Sequence, residues 1–370
     1  MAASYQFGIE EELFLADAHT RSTPRRVKPF HQAVHDRMPE VERELLDSQV
    51  EIMTQPCTDF AAARASLSGL RNGLAAIGQE HGVMVFGGGS HPTAKWRRQK
   101  RTSKERYDAI ADDMQLLARR DVVCGMHVHV EVPHPERRVD LMNRLLPYTP
   151  TLLALSASSP FWQGEETGLN AYRLSVWGEM PRTGLPELFA DMADYDRFVG
   201  AMVRSGAIAD ASFLWWTLRP STRFPTLELR VADSCTRLDD TLAIAALYRC
   251  LVRHLDRHPK RNRGLTSVSR AIASENMWRA QRWGVHASFI DEGGRVVPFA
   301  EHLEVILEDV AKDADALGCA PEVARTREIV ADGTSADRQL AIFAEARASG
   351  SNTATALAAV VDWMAQATAG

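Results

Sequence analysis

Three short segments of this chain alternate between apolar side chains and acidic, imidazole or guanidinium ones. No other feature of the sequence limits the fold as strongly. They are Ile9-Glu10-Glu11-Glu12-Leu13, Met126-His127-Val128-His129-Val130 and Leu227-Glu228-Leu229-Arg230-Val231. A period of two is the period of a β-strand, in which residues i and i+2 share a face. Glu10 and Glu12 therefore share a face, Ile9 and Leu13 point the other way, and Glu11 lies between them. His127 and His129 share a face, as do Glu228 and Arg230. A strand with one wet face alternates like this with no function attached. Here, however, the wet members are glutamate, histidine and arginine rather than lysine, serine or threonine. Three such faces together predict a built site. Glu51, in Val50-Glu51-Ile52, adds a fourth carboxylate flanked by apolar neighbours.

Carboxylates with histidine on adjoining sheet surfaces make a cage for a hard divalent cation. Magnesium takes oxygen ligands, and manganese also tolerates imidazole. Arg230 would meet a phosphate oxygen, because its planar fork matches phosphate geometry. Zinc hydrolysis is disfavoured. His127-x-His129 is a strand pair rather than a helical His-Glu-x-x-His, and carboxylates outnumber histidines. The sequence has no Gly-x-x-x-x-Gly-Lys-[Ser/Thr] loop and no Gly-x-Gly-x-x-Gly. Gly87-Gly88-Gly89-Ser90 reads as a turn after a strand, with only weak support for a phosphate role.

Two textures run along the chain. Strand-like runs alternate with helical ones up to about residue 235. They are expected at Gln6–Ala16, Leu45–Thr54, Val83–Gly87, Val122–Val132, Phe213–Leu218 and Thr226–Ala232. Helices are expected at Ala61–Gln79, Lys104–Arg119, Arg137–Ser158 and Ala193–Ser205. From about residue 236 the pattern is mainly helical: Asp239–His258, Val268–Arg282, Phe299–Leu317, Asp337–Ala348 and Asn352–Ala367. The stretch Ser159–Pro186, with its glycines, prolines, aromatics and arginines, reads as a long functional loop that orders over substrate. Arg173 and Arg182 are its candidates for holding a substrate carboxylate. Trp215-Trp216 reads as core. His254 and His258 suit the C-terminus of a helix better than a metal site.

The formal charge of −5 gives no reason to expect nucleic acid or an anionic membrane as partner. The basic run Lys95 to Arg106 reads as a solvated loop and helix start. Five scattered cysteines without a Cys-x-x-Cys pair fit reduced thiols. The start, Met1-Ala2-Ala3-Ser4-Tyr5, shows no signal peptide, and no run of roughly 18 apolar residues could span a bilayer. The expected location is the cytoplasm.

In order, Gly8-Ile9-Glu10-Glu11-Glu12, Val50-Glu51-Ile52, His91-Pro92, Gly125-Met126-His127-Val128-His129 and Pro225-Thr226-Leu227-Glu228-Leu229-Arg230 resemble the type 2 glutamate–cysteine ligases. Within them the match is to the YbdK-like carboxylate-amine ligase subfamily. Asn276-x-Trp278-x-Ala280-x-Arg282-x-Gly284 fits as well. The likeness covers roughly residues 5 to 300.

The resemblance implies an α+β, glutamine-synthetase-like fold: a curved, largely antiparallel sheet with helices behind it and a helical C-terminal part. Residues 1–370 would form one catalytic domain. It implies ATP and magnesium, or manganese, as cofactors. Glu10, Glu12, Glu51, His127 and Glu228 match metal positions. His129, Arg230 and Arg223 match nucleotide contacts, and Glu228 and Arg230 the catalytic pair. Glu44 is a further match, but the period-two rule sets it on the face opposite Glu51 unless a bulge intervenes.

The implied reaction joins a small carboxylate to an amine through an acyl phosphate, with weak glutamate–cysteine ligase activity. Two rivals are an ATP:guanidino phosphotransferase on the same fold and a non-catalytic nucleotide binder. A homodimer is expected only from the prevalence of two-fold oligomers. The acid and the amine themselves are not readable.

Overall fold

The structure, a computed structural model, describes residues 4–370, with the Arg106 side chain set aside. The reading of Met1-Ala2-Ala3 lies outside the described residues, as does that side chain.

The chain opens with β1 (Phe7–Asp17), α1 (Lys28–Arg37), β2 (Glu42–Arg43), β3 (Gln49–Met53), α2 (Phe60–His81) and β4 (Val83–Phe86). There follow α3 (Glu105–Met114), α4 (Leu116–Arg120), β5 (Met126–Glu131), α5 (Arg138–Leu145) and α6 (Thr149–Ser156). The middle holds β6 (Phe161–Trp162), β7 (Glu165–Glu166), α7 (Arg173–Trp177), β8 (Thr183–Gly184), α8 (Met192–Arg204), β9 (Trp215–Trp216), β10 (Leu218–Pro220) and β11 (Thr226–Leu229). Last come α9 (Leu238–Arg257), α10 (Ser267–Trp283), β12 (Ser288–Ile290), β13 (Val296–Pro298), α11 (Phe299–Leu317), α12 (Ala320–Asp332), α13 (Ser335–Ala348) and α14 (Thr353–Ala369).

The main sheet runs β10-β11-β5-β1-β3-β2, with β4 also pairing with β1, and every pair in it is antiparallel. The architecture is thus α+β, with a largely antiparallel sheet and a helical C-terminal part. Ile9, Leu13, Ile52, Val128, Leu227 and Leu229 point from the sheet into a core shared with α2, α5, α6 and α9. Glu11 points the same way and is fully buried. Arg71 of α2 satisfies it at 2.6 and 2.9 Å, and the Thr241 hydroxyl donates to it at 2.6 Å. A second core gathers Phe14, Phe86, Phe161 and Trp162 under Leu357, Val360, Val361 and Met364 of α14.

Several expectations need correction. The helix expected over 104–119 breaks at Gln115, whose φ is +49°. The one expected over 137–158 breaks into α5 and α6 around Pro147 and Pro150, since proline cannot continue the hydrogen-bond ladder. Helices α1 and α12 were not expected. Ser159–Pro186 is not a long exposed loop. It contains the β6–β7 hairpin and α7, and Phe161, Trp162 and Trp177 are buried in the cores. The aromatics that suggested a substrate lid are packing residues.

No helix of the structure is long and apolar enough to cross a membrane, among the described residues.

Candidate metal centre and phosphate-binding face

Strand register sets the site. Across β1 and β3, Glu12 stands opposite Glu51. Across β1 and β5, Glu10 stands opposite His127. Across β5 and β11, His129 stands opposite Glu228, and across β11 and β10, Glu228 stands opposite Arg219. Directly opposed residues have close Cβ atoms, so acids, imidazoles and guanidinia on one sheet face necessarily meet. Three groups have ligand atoms close enough to share one ion: Glu10, Glu51 and His127; Glu10, His129 and Glu228; and Glu12, Glu44 and Glu51.

The local contacts explain the electrostatics. Glu10 lies 3.3 Å from both His127 Nδ1 and His129 Nε2. Burial alone would raise its pKa, but the hydrogen bonds from the two imidazoles outweigh burial and hold it well below the usual carboxylate range. His129 Nδ1 meets the Thr226 hydroxyl at 2.9 Å. Burial opposes the charge on His129, yet its hydrogen bond to Glu10 raises its pKa overall. His127 is pushed down to about 4 by burial and by the charge of Arg230.

Glu12 is pushed up to about 8, chiefly by burial and then by Glu44, although it accepts the Gly125 amide at 2.6 Å. Burial also drives Glu51 well above its ordinary value, with Glu44, Glu10 and Glu12 adding to the shift. Three acids this close resist ionising together unless a cation stands among them. His127 Nε2 is buried without a hydrogen-bond partner. This donor set, rich in oxygen with one orphaned imidazole nitrogen, fits magnesium or manganese.

Glu44 is the clearest correction of the strand arithmetic. The period-two rule holds only within a continuous strand, and the chain reverses between β2 and β3. Glu44 follows β2, accepts from the Tyr107 hydroxyl at 3.2 Å and meets Glu12 and Glu51 from its own side.

At the other end of the face, Glu228 accepts two contacts at 2.8 and 3.1 Å from Arg219 NH2 and Nε, and a further bond from Arg230 NH1. Burial opposes its ionisation, but the two guanidinia hold it down at about 2. Arg219 went unnoticed in the sequence. Its only signal is an alternation of two residues in Leu218-Arg219-Pro220, too short to separate from chance. Arg230 Nε is buried and unpaired, which leaves it one donor without a partner.

Arg173, expected to hold a substrate carboxylate, is committed to the protein's own backbone. It is 3% exposed, reaches the carbonyls of Val231 and Arg230 at 3.3 and 3.4 Å, and lies over the Trp177 ring. A Cβ on Gly125 would meet its guanidinium at 2.2 Å, so a larger residue there would displace the Arg173 side chain from its place. Arg182 donates to the Phe213 carbonyl at 3.2 Å and lies over Trp215; it joins none of the three acid groups. Arg223 is exposed in the β10–β11 turn beside Phe224, whose ring meets that of His129 edge-on. The Gly87–Gly89 turn is buried. Its amides are taken by Thr368 and Ser158 hydroxyls at 2.9 and 2.8 Å, so it serves packing rather than phosphate.

A family model described as glutamate-cysteine ligase family 2 matches residues 6–358. A relative from Bradyrhizobium diazoefficiens, provisionally named glutamate–cysteine ligase 2, is 46% identical and covers 99% of this chain and 85% of its own. One of the same provisional name from Rhodospirillum rubrum is 45% identical over 97% of this chain and 94% of its own. Among solved structures, a bifunctional glutathione synthetase from Pasteurella multocida superposes with a TM-score of 0.69 at 16% identity. It covers 98% of this chain, which spans 53% of that longer protein. A glutamate–cysteine ligase from Francisella tularensis in complex with AMP gives 0.68 at 10% identity, covering 99% of this chain and 89% of that one. At such identities these two structures speak for the fold alone.

Proposed function

We propose that this chain, which belongs to glutamate–cysteine ligase family 2, joins a small carboxylate to an amine with cleavage of ATP to ADP and phosphate. The observation that carries the reading is the single sheet face on which Glu10, Glu12, Glu44, Glu51, His127 and His129 run up to the Glu228–Arg230 pair. The family relationship supplies the substrate class, and that face supplies the chemistry.

A carboxylate is a poor acyl donor, because oxide is a poor leaving group. Phosphorylation repairs this. A substrate carboxylate oxygen attacks the γ-phosphorus of ATP, the bond to the bridging oxygen breaks, and ADP departs. The amine nitrogen then attacks the acyl carbon, phosphate leaves with the electron pair, and the nitrogen loses a proton.

Glu10, Glu12, Glu44, Glu51 and His127 would hold divalent cations, with Glu228 and His129 at the edge. When bound, magnesium supplies the positive charge that lets phosphate enter a carboxylate-lined face. Arg230 stabilises the transferring phosphoryl oxygens through its free donor edge. Arg219 keeps Glu228 ionised and aimed, and Glu228 in turn fixes Arg230. His129 and Arg223 would contact the nucleotide; exposed Phe224 lies beside Arg223 and meets the His129 ring edge-on. Arg173, from its buried place, holds the β11 end through the Arg230 and Val231 carbonyls. The segment 159–186, expected as a substrate lid, instead packs the β6–β7 hairpin and the short α7 with buried aromatics. The expected setting is the cytoplasm, as a homodimer.

A coupled assay tests the reading: ADP and phosphate release across a panel of amino acids and amines, with and without divalent metal. Release that requires an acid, an amine and the metal together supports the ligase. Phosphoryl transfer to a guanidino compound without phosphate release would instead identify a kinase.

A further inference from the structure

We infer that the cleft at the far end of β1 is a metal-independent binding site for a small anion carrying a chain of two or more phosphate groups. The cleft measures about 1100 Å³ and lies between the segment following β1, the start of α1, the α2–β4 junction and the strand-free stretch at 98–100. Small-molecule sites fall in a range of about 300–1,000 Å³, so a nucleotide-sized molecule has room. None of its lining residues belongs to the three acid groups. Asp17, on one wall, is five residues beyond Glu12 along β1, about 17 Å at strand spacing. Asp47 and Ser48, on the other, lie three residues in sequence from Glu44 and Glu51 respectively.

Charge makes the case. Arg25, Arg26, Lys28, Arg98 and Lys100 line the cleft, all exposed, and none forms an ion pair among the described residues. The two acids in the lining are already engaged. Asp17 accepts the His19 and Thr20 amides at 3.0 and 2.8 Å, and Asp47 is paired with Arg43 at 2.5 Å. Five cations thus stand against two occupied carboxylates in a chain whose net charge is −5. Scattered surface cations are solvated and need no partner. Five on the walls of one concavity focus a positive potential into it. The start of α1 adds to this. Val27, Lys28 and Pro29 line the cleft, and no side chain caps that helix end, so its first-turn dipoles also favour negative charge. Three arginines and two lysines carry more positive charge than a single carboxylate or monophosphate would neutralise, and a chain of phosphates carries charge to match.

The chemistry is the reverse of the metal centre. That face is lined with carboxylates and admits phosphate only alongside cations, whereas this cleft supplies its own positive charge. The inference does not rest on the ligase reading, and chelator separates the two. Calorimetry on the full chain in EDTA, with inorganic tripolyphosphate as probe, should show saturable binding that weakens as salt rises. The charge reversal Arg25→Glu with Lys28→Glu should weaken it about tenfold or more. Lys260→Glu with Arg263→Glu, the same charge change on the exposed turn after α9, should leave it within about twofold. All four sites are exposed, and thermal melts check folding. ATP in EDTA forms the second arm. Equal affinity assigns the cleft to the phosphate chain, and tighter binding assigns it to a nucleotide; both support the proposal. Absence of binding, equal loss in both double variants, or a short RNA binding there where tripolyphosphate does not would each overturn it.

Discussion

Glu12 on β1 and Glu51 on β3 stand directly opposite one another in the antiparallel register, an arrangement that strands ordinarily avoid. Like charges so placed destabilise a sheet by about 0.2–1 kcal/mol, and Glu44 tightens the same corner. Glu51→Gln should therefore stabilise the metal-free protein, raising its melting temperature by roughly 1–4 °C, while metal-dependent ADP release falls about 10²–10³-fold. Melts in EDTA and the coupled assay read the two effects. A variant no more stable than the parent in EDTA would mean that the carboxylates are not in conflict.

Arg230 and Glu228 should behave as one unit. Glu228→Gln leaves Arg219 and Arg230 facing a neutral amide, and Arg230→Lys replaces a fork with a point charge. Each should lower turnover by about 10²–10³-fold. Leu229→Ala, on the core face of the same strand, should instead cost roughly 2–5 kcal/mol of stability and keep near-normal turnover per folded molecule. ADP release normalised to folded fraction distinguishes them. Near-parental turnover by Arg230→Lys would place the phosphate elsewhere.

Behind the sheet, Glu11 and Arg71 form a buried pair whose side chains are 0 and 1% exposed. Arg71→Met strands the carboxylate and frees the Cys235 and Thr236 carbonyls that Arg71 also serves. The expected loss is about 3–5 kcal/mol. Adding Glu11→Leu removes the stranded charge and should recover part of that loss in denaturant titrations. If the double variant is no better than the single one, backbone capping rather than charge dominates.

Asp313 supplies a test in pH. Burial would raise its pKa, but hydrogen bonds from His254 and Arg253 outweigh that and hold it below its ordinary 3.8. A carboxyl depressed on folding adds stability that is fully present above the unfolded value and is lost as pH falls through the folded one. Asp313→Asn should lower stability near neutrality and flatten the acid limb below about pH 4. The measurement is unfolding free energy against pH for both proteins. An unchanged acid limb would discount the cluster.

What could be read in the sequence was what strand periodicity and order along the chain encode. The shared faces of Glu10 with Glu12, His127 with His129 and Glu228 with Arg230 follow from a period of two, and the strands carrying them lie within a few residues of expectation. Pairings between strands were not legible, because register depends on turns and on distant partners. For that reason Glu44 was set on the wrong face and Arg219 was missed. Arg173 was read as a holder of a substrate carboxylate because its stretch, rich in glycine, proline and aromatics, resembled a functional loop. Only the structure shows Gly125 making room for its guanidinium. Helices α1 and α12 were hidden by weak apolar periodicity, with α1 holding only Phe30, His31 and Val34 buried.

The placement of α14 bears on how the molecule is made. Its Thr368 hydroxyl holds the Gly87 amide, 281 residues away, and its Val360, Val361 and Met364 cover Phe14 and Phe86. At translation rates of about 5–20 residues per second, the strands bearing those phenylalanines leave the ribosome roughly ten or more seconds before their cover exists. Until residue 368 has emerged, an aromatic surface beside the central strand lies open to solvent. The newborn chain should therefore engage chaperones that shield hydrophobic surface through most of its synthesis, and release from them should coincide with docking of this last helix.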